Sequence, residues 1–94
     1  MISVVIPVHN ERDSVGPLLE GLTGVLDGLG RPYELILVDD GSTDDTLARL
    51  REAATRYPTL WVIRLRANFG QAAALAAGFD RAEGELRAAG EKAS

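Results

Sequence analysis

Three short apolar runs that alternate with longer segments of helical periodicity constrain the fold of this chain most. The runs cover residues 2–8, 33–38 and 60–66. Parallel strands need a crossover connection, usually a helix, whereas hairpins need only a short turn, so this alternation predicts a parallel sheet. Because 94 residues hold a single core, we expect one α/β domain of the order β-α-β-α-β-α.

The residue pattern of the second and third runs predicts where each strand lies in the sheet. Residues 35–38 are consecutive apolar residues, as expected of a strand that is covered on both faces, so we place the second strand at the centre. In the third run Arg64 and Arg66 lie on one side of the pleat, opposite the apolar side chains. This pattern predicts an edge strand, where charged side chains discourage pairing with other chains.

Two helix starts follow from local signals. Pro17 is tolerated only in the first turn of a helix, so the first helix is expected to begin at Asp13 or Ser14. Ser42 stands three residues before Asp45, which is the spacing of a capping box at the start of the second helix.

The pattern changes after Gly84. Residues 85–94 are charged and rich in alanine, and Leu86 is their only large apolar residue. We therefore expect residues 1–84 to form the domain and residues 85–94 to be a frayed or disordered tail.

Charge and cysteine content exclude several classes of function. The chain has 10 Lys and Arg against 14 Asp and Glu, a net charge of −4, which argues against a nucleic-acid partner. Without cysteine there is no disulfide, thiolate metal site or thiol nucleophile, and a single histidine excludes a histidine metal cluster. Neither a targeting segment nor an apolar stretch of about 20 residues is evident, so a soluble, cytoplasmic chain is expected.

Right-handed crossovers place the carboxyl ends of the three predicted strands at one edge of the sheet. Segments 8–11, 39–42 and 67–71 would then line the same rim, which is where open α/β sheets bind their ligands. These segments are therefore where functional residues are expected.

Asp39 and Asp40 directly follow the central strand and are the leading candidates. Carboxylates accept hydrogen bonds from ribose hydroxyls and nucleobase N–H groups but repel phosphates, so we expect this pair at the nucleoside end of a ligand. The alternative is a turn, for which one such residue suffices. For Asp44 and Asp45 the structural interpretation is preferred, because acidic residues commonly start helices.

The other two segments carry weaker signals. Pro7 fixes the chain where the first strand ends, His9 could lie flat against a base, and Glu11 could accept a hydrogen bond from one. The alternative for the histidine is a solvated loop residue. Asn68 and Gln71 have the spacing of a helix cap, and the free N–H groups of that helix start could also receive an anion.

Together these segments resemble a known family. The stretches VVIPVHNE, ELILVDDGSTDDT and RLRANFGQAAALAAGFDRAEGE, in this order, resemble the N-terminal half of the family 2 glycosyltransferases over residues 2–84. The branch that they resemble moves a sugar from a nucleotide to a polyprenyl phosphate, as dolichol-phosphate mannose synthase does. The resemblance implies a Rossmann-like, three-layer α/β sandwich, a partial glycosyltransferase A-type fold whose first half holds the nucleotide.

The resemblance also implies a site for a UDP- or GDP-linked sugar. By position, this site comprises Pro7, His9, Glu11, Asp39, Asp40 and Gly70. Asp40 is implied to contact the base, with support from Asp39. His9 stands where such proteins often have tyrosine, so its stacking on the base stays a prediction.

The family's metal-binding and catalytic residues have no counterpart in this chain. The resemblance implies a divalent cation, Mg²⁺ or Mn²⁺, held by an Asp-x-Asp motif after a fourth strand, but the sequence contains no such motif. The acceptor half, which holds the catalytic base and meets the membrane lipid acceptor, is not matched either. We therefore predict no catalytic residue and no metal ligand, and expect a truncated glycosyltransferase that is inactive alone.

Two alternatives stay open. A noncatalytic remnant or partner-binding module would self-associate, or bind another chain, through the edge of the first strand, which a missing fourth strand would leave exposed. A phosphoacceptor receiver domain would need acidic residues after the first strand, and there only Glu11 is acidic.

Overall fold

The fold is a parallel sheet with helices on both faces. The structure is a computed structural model, and it describes residues 1–81 and 86–87. The predicted α/β class and the predicted order of elements are both confirmed. The elements are β1 (Ile2–Val8), α1 (Val15–Asp27), β2 (Tyr33–Asp40), α2 (Thr46–Ala54), β3 (Leu60–Leu65), α3 (Gln71–Arg81) and β4 (Leu86–Arg87).

The strand order β3-β2-β1-β4 puts β2 inside the sheet and β3 at an edge of the described part, as the sequence predicts. All pairings are parallel. Every residue of β2 from Glu34 to Asp40 is buried, which explains its continuous apolar run. The register pairs Asp39 with Val8 on one side and with Arg64 on the other, so the carboxyl ends of β1, β2 and β3 lie together.

A short fourth strand was not expected from the sequence. Leu86 and Arg87 pair with Ile2 and Ser3, beside the first two residues of β1. The rest of the tail predicted for residues 85–94 lies outside the described residues. Along the remainder of β1, no described strand pairs on the side away from β2.

The two faces of the sheet bury different helices. On one face α1 and α2 cover a core that includes Val4, Leu19, Leu35, Leu37 and Leu50. On the other face α3 packs through Ala74 on Val5, Ile36 and Val38. The three layers are those of the predicted sandwich. Among the described residues no helix is both long enough and apolar enough to cross a bilayer.

Gly78 sets how closely α3 approaches the sheet. A Cβ atom at this position would lie 2.2 Å from Cγ1 of Val5 and 3.3 Å from Cγ2 of Val38. Both valines are fully buried, and β-branched side chains have little rotamer freedom. A glycine is therefore required here for packing, although it weakens the helix itself.

We expect Gly78→Ala to lower the free energy of unfolding by about 1–3 kcal/mol, the usual cost of overpacking a core. Gly24→Ala is the matched control, since Gly24 is also helical but a Cβ there would meet nothing within 4 Å. That variant should gain stability, up to about 1 kcal/mol, from helix propensity alone. Urea denaturation measures both, and equal effects of the two substitutions would contradict the packing role of Gly78.

Candidate functional site

A cleft of about 230 Å³ lies at the carboxyl edge of the sheet. The end of β2 and the segments at the ends of β1 and β3 all contribute to it, as the crossover rule predicts. Its lining consists of Pro7, Val8, His9, Glu11, Asp40, Asn68, Gly70 and Gln71. Five of the six residues implied by the resemblance therefore share one cavity, although Glu11 and Asp40 are far apart in sequence.

Asp40 joins the end of β2 to the loop before α3. Its Oδ1 accepts a hydrogen bond from the backbone N–H of Phe69 at 2.9 Å, and its Oδ2 accepts one from Gly70 at 3.0 Å. A carboxylate offers about four acceptor positions, so these two bonds do not fill its acceptor capacity. The side chain expected to contact a base therefore also anchors the third loop.

Asp39 does not line the cleft. Successive side chains of a strand point to opposite faces, so Asp39 lies on the α1 and α2 face while Asp40 lies on the α3 face. Asp39 is only 2% exposed, and within the described part of the chain its Oδ1 has no hydrogen-bond partner. The two neighbouring carboxylates thus occupy separate environments and cannot act as a pair on one ligand group.

A hydrogen bond holds the backbone of Glu11, and the Glu11 side chain is exposed. Its N–H donates to Oγ1 of Thr46 at 2.9 Å, and Thr46 is completely buried. The Thr46 hydroxyl in turn donates to Oδ1 of Asp44, which also accepts the Thr46 N–H at 2.8 Å. These bonds from Thr46 lower the pKa of the Asp44 carboxyl below its ordinary value. Asp44 therefore has the structural role at the helix start that its position predicts.

Asn10 links the first two loops and was not among the predicted site residues. Its backbone has a positive φ of 50°, which asparagine tolerates better than most residues. Its Oδ1 accepts from the N–H of Thr43 at 2.8 Å and of Asp44 at 3.3 Å, and its own N–H donates to Oγ of Ser42 at 2.9 Å. Ser42 thus bonds Asn10, and no side-chain bond caps α2 at Asp45, so the predicted capping box does not form.

His9 contacts all three loops. Its Nδ1 lies 2.8 Å from the carbonyl oxygen of Asp40. Its Nε2 lies 3.3 Å from Nδ2 of Asn10 and 3.3 Å from Nδ2 of Asn68. The sequence predicts His9 as a ligand contact, but nothing in it indicates this network, because Asp40 and Asn68 come from distant segments.

Two glycines shape the loops. Gly41 has a φ of +68°, and a Cβ there would lie 2.3 Å from the carbonyl carbon of Ala67 and 2.4 Å from the nitrogen of Asn68. The second and third loops therefore touch backbone to backbone. Gly70, with a φ of +95°, directs its N–H to Asp40 and to Oδ1 of Asn68 at 3.1 Å. Its single N–H is thus used within the protein and is not left open for an anion.

A second concavity, of about 200 Å³, lies between α1 and α2. Three arginines line it, but each faces an acid. Arg12 and Arg49 lie 3.6 and 3.5 Å from Asp45, and Arg56 pairs with Glu52. Because these charges are paired with one another, the cleft at the strand ends is the stronger candidate site.

We expect Gly41→Ala to destabilise the protein more than Gly30→Ala. Gly30 has nearly the same φ, +66°, but no atom lies within 4 Å of a Cβ there, so only the left-handed backbone costs free energy, about 1–2 kcal/mol. At Gly41 the collision with the third loop adds about 1–3 kcal/mol. Urea denaturation gives the loss of unfolding free energy for each variant, and the difference between the two losses is the cost of the collision between the second and third loops. Equal losses would show that these loops can separate freely.

Comparison with known proteins places these observations in context. The family model described as "Glycosyl transferase family 2" matches residues 3–88. The undecaprenyl-phosphate 4-deoxy-4-formamido-L-arabinose transferase of Edwardsiella ictaluri is 46% identical over 86 residues, which are 90% of this chain and 26% of that protein. The dodecaprenyl-phosphate galacturonate synthase of Rhizobium johnstonii is 47% identical over 86 residues, which are 90% and 25% of the two chains. The chain thus spans about a quarter of the length of these relatives.

Two solved structures share the fold. The mannosyltransferase PcManGT from Pyrobaculum calidifontis, in complex with GDP-Man and Mn²⁺, superposes with a TM-score of 0.72 at 28% identity, over 92% of this chain and 25% of that one. TarS from S. aureus, in complex with UDP, gives 0.74 at 29% identity, over 92% and 26%.

Proposed function

Because the chain belongs to glycosyl transferase family 2, we propose that its cleft binds the nucleotide of a nucleotide-diphosphate sugar. The convergence of Glu11 and Asp40 in one cavity carries this proposal. Two carboxylates at the ends of parallel strands suit the N–H and hydroxyl groups of a nucleoside better than they suit a phosphate. Structural neighbours in complex with GDP-Man and with UDP support the same ligand class.

Each cleft residue has a defined part in this proposal. Glu11 offers a carboxylate that accepts no hydrogen bond from the described residues, so it is free to accept from a base. Asp40 contributes its remaining acceptor positions, and His9 presents its ring. Pro7 and Gly70 set the backbone around the base, while Asp39 supports the end of β2 from the opposite face.

The base and the acceptor are finer points of the proposal. Both uracil and guanine carry N–H donors that a carboxylate can bind, so UDP- and GDP-sugars are both candidate donors. Relatives named as an undecaprenyl-phosphate transferase and a dodecaprenyl-phosphate synthase support a polyprenyl phosphate as the sugar acceptor.

A divalent metal does not fit the described residues. In residues 1–81 and 86–87 no group of three histidine, cysteine, aspartate or glutamate side chains could hold one. The whole sequence also lacks an Asp-x-Asp motif. No step of the proposal therefore passes through a metal bound to these residues.

Nucleotide binding is tested by isothermal titration with UDP- and GDP-sugars. Glu11→Gln should weaken binding about 10-fold or more, because a hydrogen bond to a charged group contributes about 1.5–3 kcal/mol. Glu20→Gln is the control, since Glu20 is an exposed acid on α1 outside the cleft. If neither nucleotide binds at millimolar concentration, and sedimentation shows concentration-dependent dimers, pairing through the part of the β1 edge that no described strand covers becomes the better candidate.

We further propose that these 94 residues alone bind the donor without transferring the sugar. Inverting transfer needs a base for the acceptor and stabilisation of the leaving diphosphate, and no described residue fits the second role. An assay with radiolabelled nucleotide sugar and polyprenyl phosphate should show no labelled lipid. Lipid labelling above a heat-denatured control would contradict this proposal.

A further inference from the structure

The ring of His9 has a protein partner on each of its two nitrogen edges. Nδ1 meets the carbonyl oxygen of Asp40 at 2.8 Å, and Nε2 meets the amide nitrogens of Asn10 and Asn68, each at 3.3 Å. A neutral imidazole has one donor nitrogen and one acceptor nitrogen, so these partners decide which nitrogen carries the proton.

The orientation of both asparagine amides follows from backbone donors. Oδ1 of Asn10 accepts from the N–H groups of Thr43 and Asp44. Oδ1 of Asn68 accepts from the N–H of Gly70 at 3.1 Å. A backbone N–H can only donate, so the oxygen of each amide must face the backbone. The NH₂ group of each must then face His9.

The two edges of the ring independently require the same tautomer. The Asp40 carbonyl can only accept, so Nδ1 has to carry the proton. The two amide NH₂ groups can only donate, so Nε2 has to be unprotonated and to accept. One neutral form, with the proton on Nδ1 and the single lone pair of Nε2 shared by the two amides, is compatible with every partner.

From this arrangement we infer that His9 is a positioning residue, fixed as the Nδ1–H tautomer, which holds the loop before α3 against the ends of β1 and β2. This role of His9 belongs to the proposed nucleotide site, and only the predicted effect on nucleotide affinity rests on the proposed function. Because the protein occupies both nitrogen edges, only the face of the imidazole ring is left to contact a nucleotide. Hydrogen bonding by His9 to a base is thereby excluded, whereas stacking is not.

The route by which His9 acts runs through Asn68. The Asn68 side chain bonds His9 at one end and the N–H of Gly70 at the other, and Gly70 also donates to Asp40. His9 therefore restrains the same short segment that Asp40 anchors. Losing the ring nitrogens should loosen this segment even when the ring face is kept.

The tautomer is measured directly by ¹⁵N NMR of the imidazole near neutral pH. His9 is the single histidine of the chain, so its signals need no assignment by mutation. We expect a protonated Nδ1 and an unprotonated Nε2. A proton on Nε2, or a mixture of the two neutral tautomers, would overturn the inference whether or not any nucleotide binds.

The positioning role is tested by amide hydrogen exchange on His9→Phe, Asn68→Ala and the double variant. His9→Phe keeps a ring face but removes both nitrogens, so the amides of Phe69 and Gly70 should exchange about fivefold faster, the factor for one neutral hydrogen bond. The amide of Tyr57, bonded to Ala53 in α2, is the internal control and should be unchanged. His9→Phe should raise these two exchange rates by a smaller factor in the Asn68→Ala background than in the native chain.

Nucleotide affinity supplies the second readout. His9→Phe should lose affinity by a factor similar to its increase in exchange, and His9→Ala should lose more because it also removes the ring face. Unchanged exchange in His9→Phe, or strictly additive effects with Asn68→Ala, would refute the positioning role. If the native chain binds no nucleotide, the proposed function fails, while exchange and NMR still decide this inference.

Discussion

The carboxylate of Asp40 is the contact on which the geometry of the cleft depends. It ends the central strand, is 5% exposed, and accepts two backbone N–H groups from the loop before α3. A buried carboxylate without such partners would be strongly unfavourable, and bonds to a charged group contribute about 1.5–3 kcal/mol each. The same two bonds therefore stabilise the charge and fix the third loop beside the first two.

The remaining polar contacts of the site hold the loops to one another and to the start of α2. Asn10 bonds the backbone of the second loop, and Thr46 at the start of α2 bonds the backbone of Glu11. His9 adds a connection to the third loop through Asn68. Because the backbone of Glu11 is fixed in this way, its side chain makes no structural contact within the described part of the chain and can bind a ligand. A backbone that is already fixed loses less entropy when the side chain binds a ligand.

The structure separates two acidic residues that the sequence motif places side by side. Asp39 and Asp40 look like a pair in sequence, yet the pleat directs them to opposite faces of the sheet. Asp40 is in the cleft, whereas Asp39 is buried under the α1 and α2 side. A catalytic or metal-binding pair is therefore not formed by these neighbours.

The sequence by itself determined the α/β class, the order of elements, the inner place of β2 and the rim at which the loops meet. These features follow from local periodicity and from the fixed hand of crossover connections, both of which are legible along the chain. Only the tertiary structure decided that Asp40 holds Phe69 and Gly70, that Asn10 and Thr46 join two loops, that Gly41 lies under Ala67, and that Leu86–Arg87 pairs with β1. Each of these contacts joins residues far apart in sequence, and their distances and directions depend on how the strands twist and pack, which no local pattern encodes.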